Sequence, residues 1–173
     1  MILAALPATT LFRMLAPKWA FQPLSGAGSA KQGGRFNRPG HHALYLSFST
    51  RTAIAEYQQY LDLLPPGTLA AYRAQVSAVA DFREGFSAGS WDPLWREWGC
   101  NWRDLAFRKK VDPPSWILGD QVRKAAGKGL VFPSIADPGG FNLVLYLDRL
   151  DAADGLEVHD PEGALPRNQA SWS

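Results

Sequence analysis

The chain has few of the residues that build covalent or metal-bound scaffolds. Of its 173 residues one is cysteine, Cys100, and three are histidine. A single cysteine excludes an internal disulfide and fits a reducing compartment, so a cytoplasmic protein is expected. Cys100 lies between Gly99 and Asn101 in a tryptophan-rich stretch and reads as a small packing residue. Three histidines and one cysteine offer no spacing suited to zinc, and no metal is expected. Basic residues never form a block longer than Arg108-Lys109-Lys110, which reads as a solvated helix edge. With a formal net charge of only +2, direct nucleic-acid binding is not expected. No apolar run approaches the roughly 18 to 20 residues of a membrane span. The opening Met1-Ile2-Leu3-Ala4-Ala5-Leu6-Pro7 lacks the basic start of a secretory signal.

What is present is ordinary for a folded domain: 46% hydrophobic and 20% charged residues. One domain over 1–173 is expected, with its core at about 11–150 and a polar, peripheral tail at 151–173. Leu11-Phe12-Arg13-Met14 reads as a short strand, 17–40 as a long Gly/Pro/Ser-rich loop, and 43–48 as a second strand. In that strand Tyr45 faces away from Leu44 and Leu46. Ser49 or Thr50 caps a helix predicted to run to about Leu64, with a stripe of Ala53, Tyr57, Tyr60, Leu61 and Leu64, ended by Pro65-Pro66-Gly67. A strand follows at 69–79, with Ala70, Tyr72, Ala74 and Val76 on one face. Residues 91–126 read as mainly helical, and their tryptophans (Trp91, Trp95, Trp98, Trp102, Trp116) as packing residues. Two strands near 130–135 and 142–147 are joined by the turn Asp137-Pro138-Gly139-Gly140. The fold class is therefore α+β, with a mixed, mostly antiparallel split sheet and flanking helices. Gly26-Ala27-Gly28 is no dinucleotide fingerprint, because position 31 is Lys31.

Some side chains suggest chemistry. Arginine grips phosphate with two prongs, and neighbouring glycines let backbone N–H groups reach the same anion. Gly33-Gly34-Arg35 has that form. Arg13, a charge within an apolar strand, must find a partner or face a cleft, and the two arginines could embrace a pyrophosphate. Tyr45 could stack on a flat heteroaromatic ring. Glu56 lies at the edge of its helix stripe with no basic residue three or four positions away, as would suit a carboxylate that stabilises positive charge on a sugar. Ser134, after Pro133, could hydrogen-bond an amide or ribose. A nucleotide-like ligand with phosphates, a ring and a reacting sugar suits this set; a module that binds a nucleotide or a protein without turnover would use the same residues.

Together these residues resemble the RES domain, the toxin half of a family of bacterial toxin–antitoxin pairs. The resemblance is carried by Phe12-Arg13, the loop Pro23-Leu24-Ser25-Gly26-Ala27-Gly28, the block Gly33-Gly34-Arg35-Phe36-Asn37-Arg38-Pro39-Gly40, Ala43-Leu44-Tyr45-Leu46-Ser47, Ala53-Ile54-Ala55-Glu56, and Phe132-Pro133-Ser134 followed by Phe141-Asn142. These stand in family order across 12–146; Phe36 replaces the family's usual tryptophan. The resemblance implies a fold akin to ADP-ribosylating toxins such as diphtheria toxin, with NAD+ as substrate. It implies that Arg35 holds the NAD+ phosphates with Arg13 assisting and Gly34 and Asn37 beside them. Tyr45 would stack near nicotinamide, Glu56 stabilise the ribosyl cation, and Ser134 position the substrate. ADP-ribose would pass to a protein, to water or to phosphate. A cognate antitoxin with a helix-turn-helix DNA-binding region is implied as partner.

Overall fold

The computed structural model describes residues 1–59 and 61–170. Six strands are present: β1 Leu3–Leu15, β2 Ala43–Ser47, β3 Thr68–Asp81, β4 Gly129–Pro133, β5 Phe141–Tyr146 and β6 Gly155–Val158. Three α-helices accompany them, α1 Ala27–Gln32, α2 Thr50–Gln58 and α3 Pro114–Lys124. The strand order is β1-β2-β5-β4-β3-β6, and β1 also pairs with β3. The sheet therefore closes on itself as a small barrel, where an open split sheet was expected. Every pairing is antiparallel except β3 with β4. The closure is lopsided: β1 runs along β3 from Leu3↔Ala80 to Leu15↔Thr68, but meets β2 only at Phe12↔Ser47.

Alternation along the strands sorts the core into two clusters. Inside the ring lie Leu11, Leu44, Leu46, Tyr72, Val131, Leu143 and Leu145. On its outer face Tyr45, Leu130, Phe132, Val144 and Tyr146 pack with Phe36, Phe82, Leu118 and the tryptophans Trp91 and Trp95. The tryptophans do pack: Trp91, Trp95, Trp102 and Trp116 are buried and Trp98 half-buried. The long hairpin β4–β5 and its tight turn form as expected, with the Gly140 N–H donating to the Asp137 carbonyl at 2.8 Å.

Other expectations need correction. β1 is 13 residues long because Leu3 and Ala4 pair with β3, with register shifts around Leu6 that accommodate Pro7, which has no N–H to give a ladder. The 17–40 segment holds a 3-10 turn, Pro17–Trp19, and α1. α2 stops at Gln58, well before the prolines, because Gln59 takes φ +47° and turns the chain out of the helix. Leu61 and Leu64 are accordingly exposed, and Tyr60 lies outside the described residues. The helical region at 91–126 is broken into a 3-10 segment Pro93–Glu97, a π-helical segment Asp104–Lys109, and α3. Past Arg149 the chain is not wholly loop: β6 pairs with β3 at Tyr72–Gln75.

Candidate active site

Ser49 caps α2, its Oγ accepting the Thr52 N–H at 3.0 Å. One turn on, Thr52 and Glu56 share the face that meets the β4–β5 hairpin. Thr52 donates to Asp137 Oδ2 at 2.8 Å, and Asp137 pairs with Arg51 at 3.0 Å. Gly140 is needed for this approach, since a Cβ there would run into Thr52 Oγ1 and lie 2.8 Å from Asp137 Oδ2.

Glu56 Oε1 accepts two hydrogen bonds, from Ser134 Oγ at 2.7 Å and from Asn142 Nδ2 at 2.6 Å. Each donor is itself oriented. Ser134 Oγ accepts the Asp137 N–H at 3.0 Å, so its own proton is free for Glu56. Asn142 Oδ1 accepts from Ser47 Oγ at 2.7 Å, which turns its amide nitrogen toward Glu56. Among the described residues no hydrogen bond reaches Oε2. One carboxylate oxygen is fixed by two donors.

Ser47 and Asn142 are Cα partners across β2 and β5, and Tyr45 and Val144 are the next such pair on the same face. Tyr45 thus stands about 7 Å along β2 from Ser47. Its hydroxyl donates to Asn37 Oδ1 at 2.8 Å and accepts the Phe36 N–H at 3.0 Å. Burial pushes the Tyr45 phenol well above its ordinary pKa; the Phe36 N–H and the guanidiniums of Arg35 and Arg103 oppose that only in part.

Arg35 and Phe36 form the tip of a tight turn closed by the Gly34 N–H to Asn37 carbonyl bond at 2.9 Å. Gly34 has no room for a side chain: a Cβ would lie 2.6 Å from Asn37 Oδ1 and strike the Tyr45 hydroxyl. The buried Asn37 amide donates to the carbonyls of Ser29, Arg38 and His41. It therefore builds the turn and holds Tyr45. Trp116 Nε1 donates to the Gly34 carbonyl at 2.7 Å. Arg35 is half-buried, and its Nη1 donates to the carbonyls of Trp98 at 3.2 Å and Cys100 at 2.9 Å.

Arg13 is placed differently. It shares a face with Leu11 and Leu15 and so points to the ring interior, opposite the face that bears Tyr45. Its Nη1 donates to the Pro23 carbonyl at 3.3 Å, and the Tyr72 hydroxyl donates to the same carbonyl at 3.0 Å. Burial lowers the Arg13 pKa. Arg13 and Arg35 hold different stretches of main chain, so no ready-made two-arginine clamp joins them.

The structure thus brings Arg35, Gly34, Asn37, Tyr45, Glu56 and Ser134 to one face and sets Arg13 apart. Asn142 joins them and is missing from the expected set; it was legible only as the asparagine after Phe141. Arg103, which carried no motif signal, stacks on Trp102 and acts on the Tyr45 phenol from a distance. The nearest cavity, about 320 Å³, is lined by Phe48, Ser49, Arg51, Thr52 and residues 137–141. Thr52 and Asp137 both line it, and Arg35, Tyr45 and Glu56 do not. Among the described residues no cluster of His, Cys, Asp or Glu could hold a metal ion, and no helix is long and apolar enough to cross a membrane.

Comparison with known proteins bears on this geometry. Residues 10–168 match the model of the RES domain. The fold matches the crystal structure of the M. tuberculosis MbcT–MbcA toxin–antitoxin complex, with TM-score 0.61, 19% sequence identity, and 92% of this chain and 85% of that chain covered. No curated protein sequence matches the chain.

Proposed function

Because the chain belongs to the RES domain family, we propose that it is the toxin of a bacterial toxin–antitoxin pair and acts on NAD+ in the cytoplasm. The observation that carries the reading is the Glu56 carboxylate, held through Oε1 by Ser134 and Asn142 on the sheet face that also presents Tyr45 and the Arg35 turn. A fixed anion, an aromatic ring and a guanidinium follow one another along that face. Nicotinamide nucleotide chemistry uses the same three groups.

In this reading the ring of Tyr45 lies against nicotinamide and Arg35 faces the phosphates, with Gly34 leaving the backbone open to them. The nicotinamide–ribose C–N bond breaks, its electron pair departing with neutral nicotinamide. The ribose carries oxocarbenium character, which Glu56 Oε2 stabilises. Ser134 and Asn142 keep the carboxylate aimed, so little reorganisation is needed as charge develops. An acceptor then adds to the ribose carbon and loses a proton. We assign a protein side chain as that acceptor; water or phosphate would make the enzyme a glycohydrolase or a phosphorylase. A cognate antitoxin, with a helix-turn-helix region at one end, would cover the cleft with the other.

Labelled NAD+ incubated with the pure protein, with lysate and with phosphate buffer tests the reading. Released nicotinamide supports turnover. Label on a protein band supports transfer, free ADP-ribose hydrolysis, and phosphorylated ADP-ribose phosphorolysis. Glu56→Ala is expected to abolish both nicotinamide release and growth inhibition while the protein stays folded. Full activity in that variant would remove Glu56 from the reaction, and no nicotinamide under any condition would return the chain to the class of non-catalytic nucleotide- or protein-binding modules.

A further inference from the structure

Arg103 precedes the π-helical segment and is exposed, with its guanidinium 4.7 Å from the ring centroid of Trp102. Trp102 is buried and lies 6.4 Å from Trp116, whose Nε1 holds the Gly34 carbonyl. The segment that bears Arg103 is also the one gripped by Arg35, through the carbonyls of Trp98 and Cys100. Arg103 thus stands three residues beyond the Cys100 carbonyl that Arg35 holds at 2.9 Å, and both guanidiniums act on the Tyr45 phenol. The neighbouring acid does not neutralise Arg103: Asp104 is engaged by Arg108 and by Lys109. Among the described residues Arg103 enters no ion pair. A stacked arginine keeps its fork oriented at small entropic cost, and two like charges borne near one segment raise the local potential for an anion.

We infer that Arg103 is the second arm of an anion clamp whose first arm is Arg35, and that the clamp takes the diphosphate of the substrate. This rests on the NAD+ reading above and gives to Arg103 the assisting role that the sequence suggested for Arg13. Trp102 acts as the platform that points the fork, and Arg13 holds the 23–25 loop instead.

Two measurements on the full chain test it. In nicotinamide release, Arg103→Ala is expected to raise KM for NAD+ by about 10- to 100-fold, one charge-assisted contact, with kcat within a few-fold. Arg103→Lys, which keeps the charge but not the fork, should fall between. Calorimetric binding of inorganic pyrophosphate requires no turnover, and Arg103→Ala should weaken it by a similar factor with an unchanged thermal midpoint. An unchanged KM, an equal loss confined to kcat, or pyrophosphate binding that is absent in the wild type or unaltered in both Arg103 variants would overturn the assignment. If pyrophosphate binding depends on Arg103 while wild-type protein releases no nicotinamide, the clamp stands and the proposed reaction falls.

Discussion

The side-chain amide of Asn142 donates to Oε1 of Glu56 at 2.6 Å, across 86 residues of sequence. Asn142 has no acid–base chemistry of its own, so its value to Glu56 is orientation. Asn142→Ala is expected to lower kcat for nicotinamide release by about 10- to 100-fold, as for loss of one preorganised donor, with KM much less affected. Ser134→Ala should do the same. Because both donors serve one oxygen, the double variant should lose less than the product of the single effects. Strict multiplicativity in steady-state kinetics would show that the two act independently.

Tyr45 combines a ring for a ligand with a hydroxyl for the fold. Tyr45→Phe keeps the ring but strands Asn37 Oδ1 and the Phe36 N–H. Urea unfolding should show a loss of about 1–3 kcal/mol, the cost of unpaired buried polar groups. Nicotinamide release at low temperature should persist, whereas Tyr45→Ala should lose it. Equal catalytic loss in both variants would assign the hydroxyl, not the ring, to the reaction.

Gly140→Ala tests how closely α2 must approach the hairpin. The new Cβ would lie 2.8 Å from Asp137 Oδ2 and strike Thr52 Oγ1, so one element must move. A loss of roughly 1–3 kcal/mol is expected in denaturant titration, as for other overpacked sites. Activity should fall at temperatures where the variant is fully folded, since the same shift moves Ser134 and Asn142 away from Glu56. A stable, fully active Gly140→Ala protein would show that the hairpin relaxes freely.

Acid stability should depend on Asp154. Burial alone would raise its pKa, but hydrogen bonds from Lys128, the Asp151 N–H and Ser77 outweigh it and the net shift is downward. A carboxylate lowered in the folded state stabilises fully above its unfolded value of about 3.9 and loses that contribution as pH falls through its own lower value. The urea midpoint of wild type should therefore exceed that of Asp154→Asn at pH 7, and the gap should shrink on acidification below about pH 4. A gap independent of pH would assign the effect to packing.

The placement of side chains was legible where one element sufficed. Strand alternation placed Tyr45 opposite Leu44 and Leu46, and the lack of a basic helical neighbour singled out Glu56. What escaped depended on pairing between distant segments. Asn142 takes its meaning from lying across from Ser47, which no local pattern reports. Arg13 fits either a cleft or a ring interior by composition, and only its register beside Leu11 and Leu15 decides. The end of α2 turned on one backbone angle at Gln59, not on the obvious prolines. Ring closure rests on a single β1–β2 pair, too slight to leave a trace in hydrophobic spacing.

The separation between Glu56 and its two donors has a consequence for synthesis. During translation the carboxylate emerges 78 residues before Ser134 and 86 before Asn142. A nascent chain can form β1, β2 and α2 and still hold Glu56 with neither partner. The β4–β5 hairpin must leave the ribosome and pair with β2 before Oε1 is fixed, and such distant pairings close late. Under the role proposed for Glu56, an incomplete product, whether stalled or cleaved before the hairpin, would be inactive. Potency would arrive only with the last third of the polypeptide, when an inhibitor already waiting could meet it.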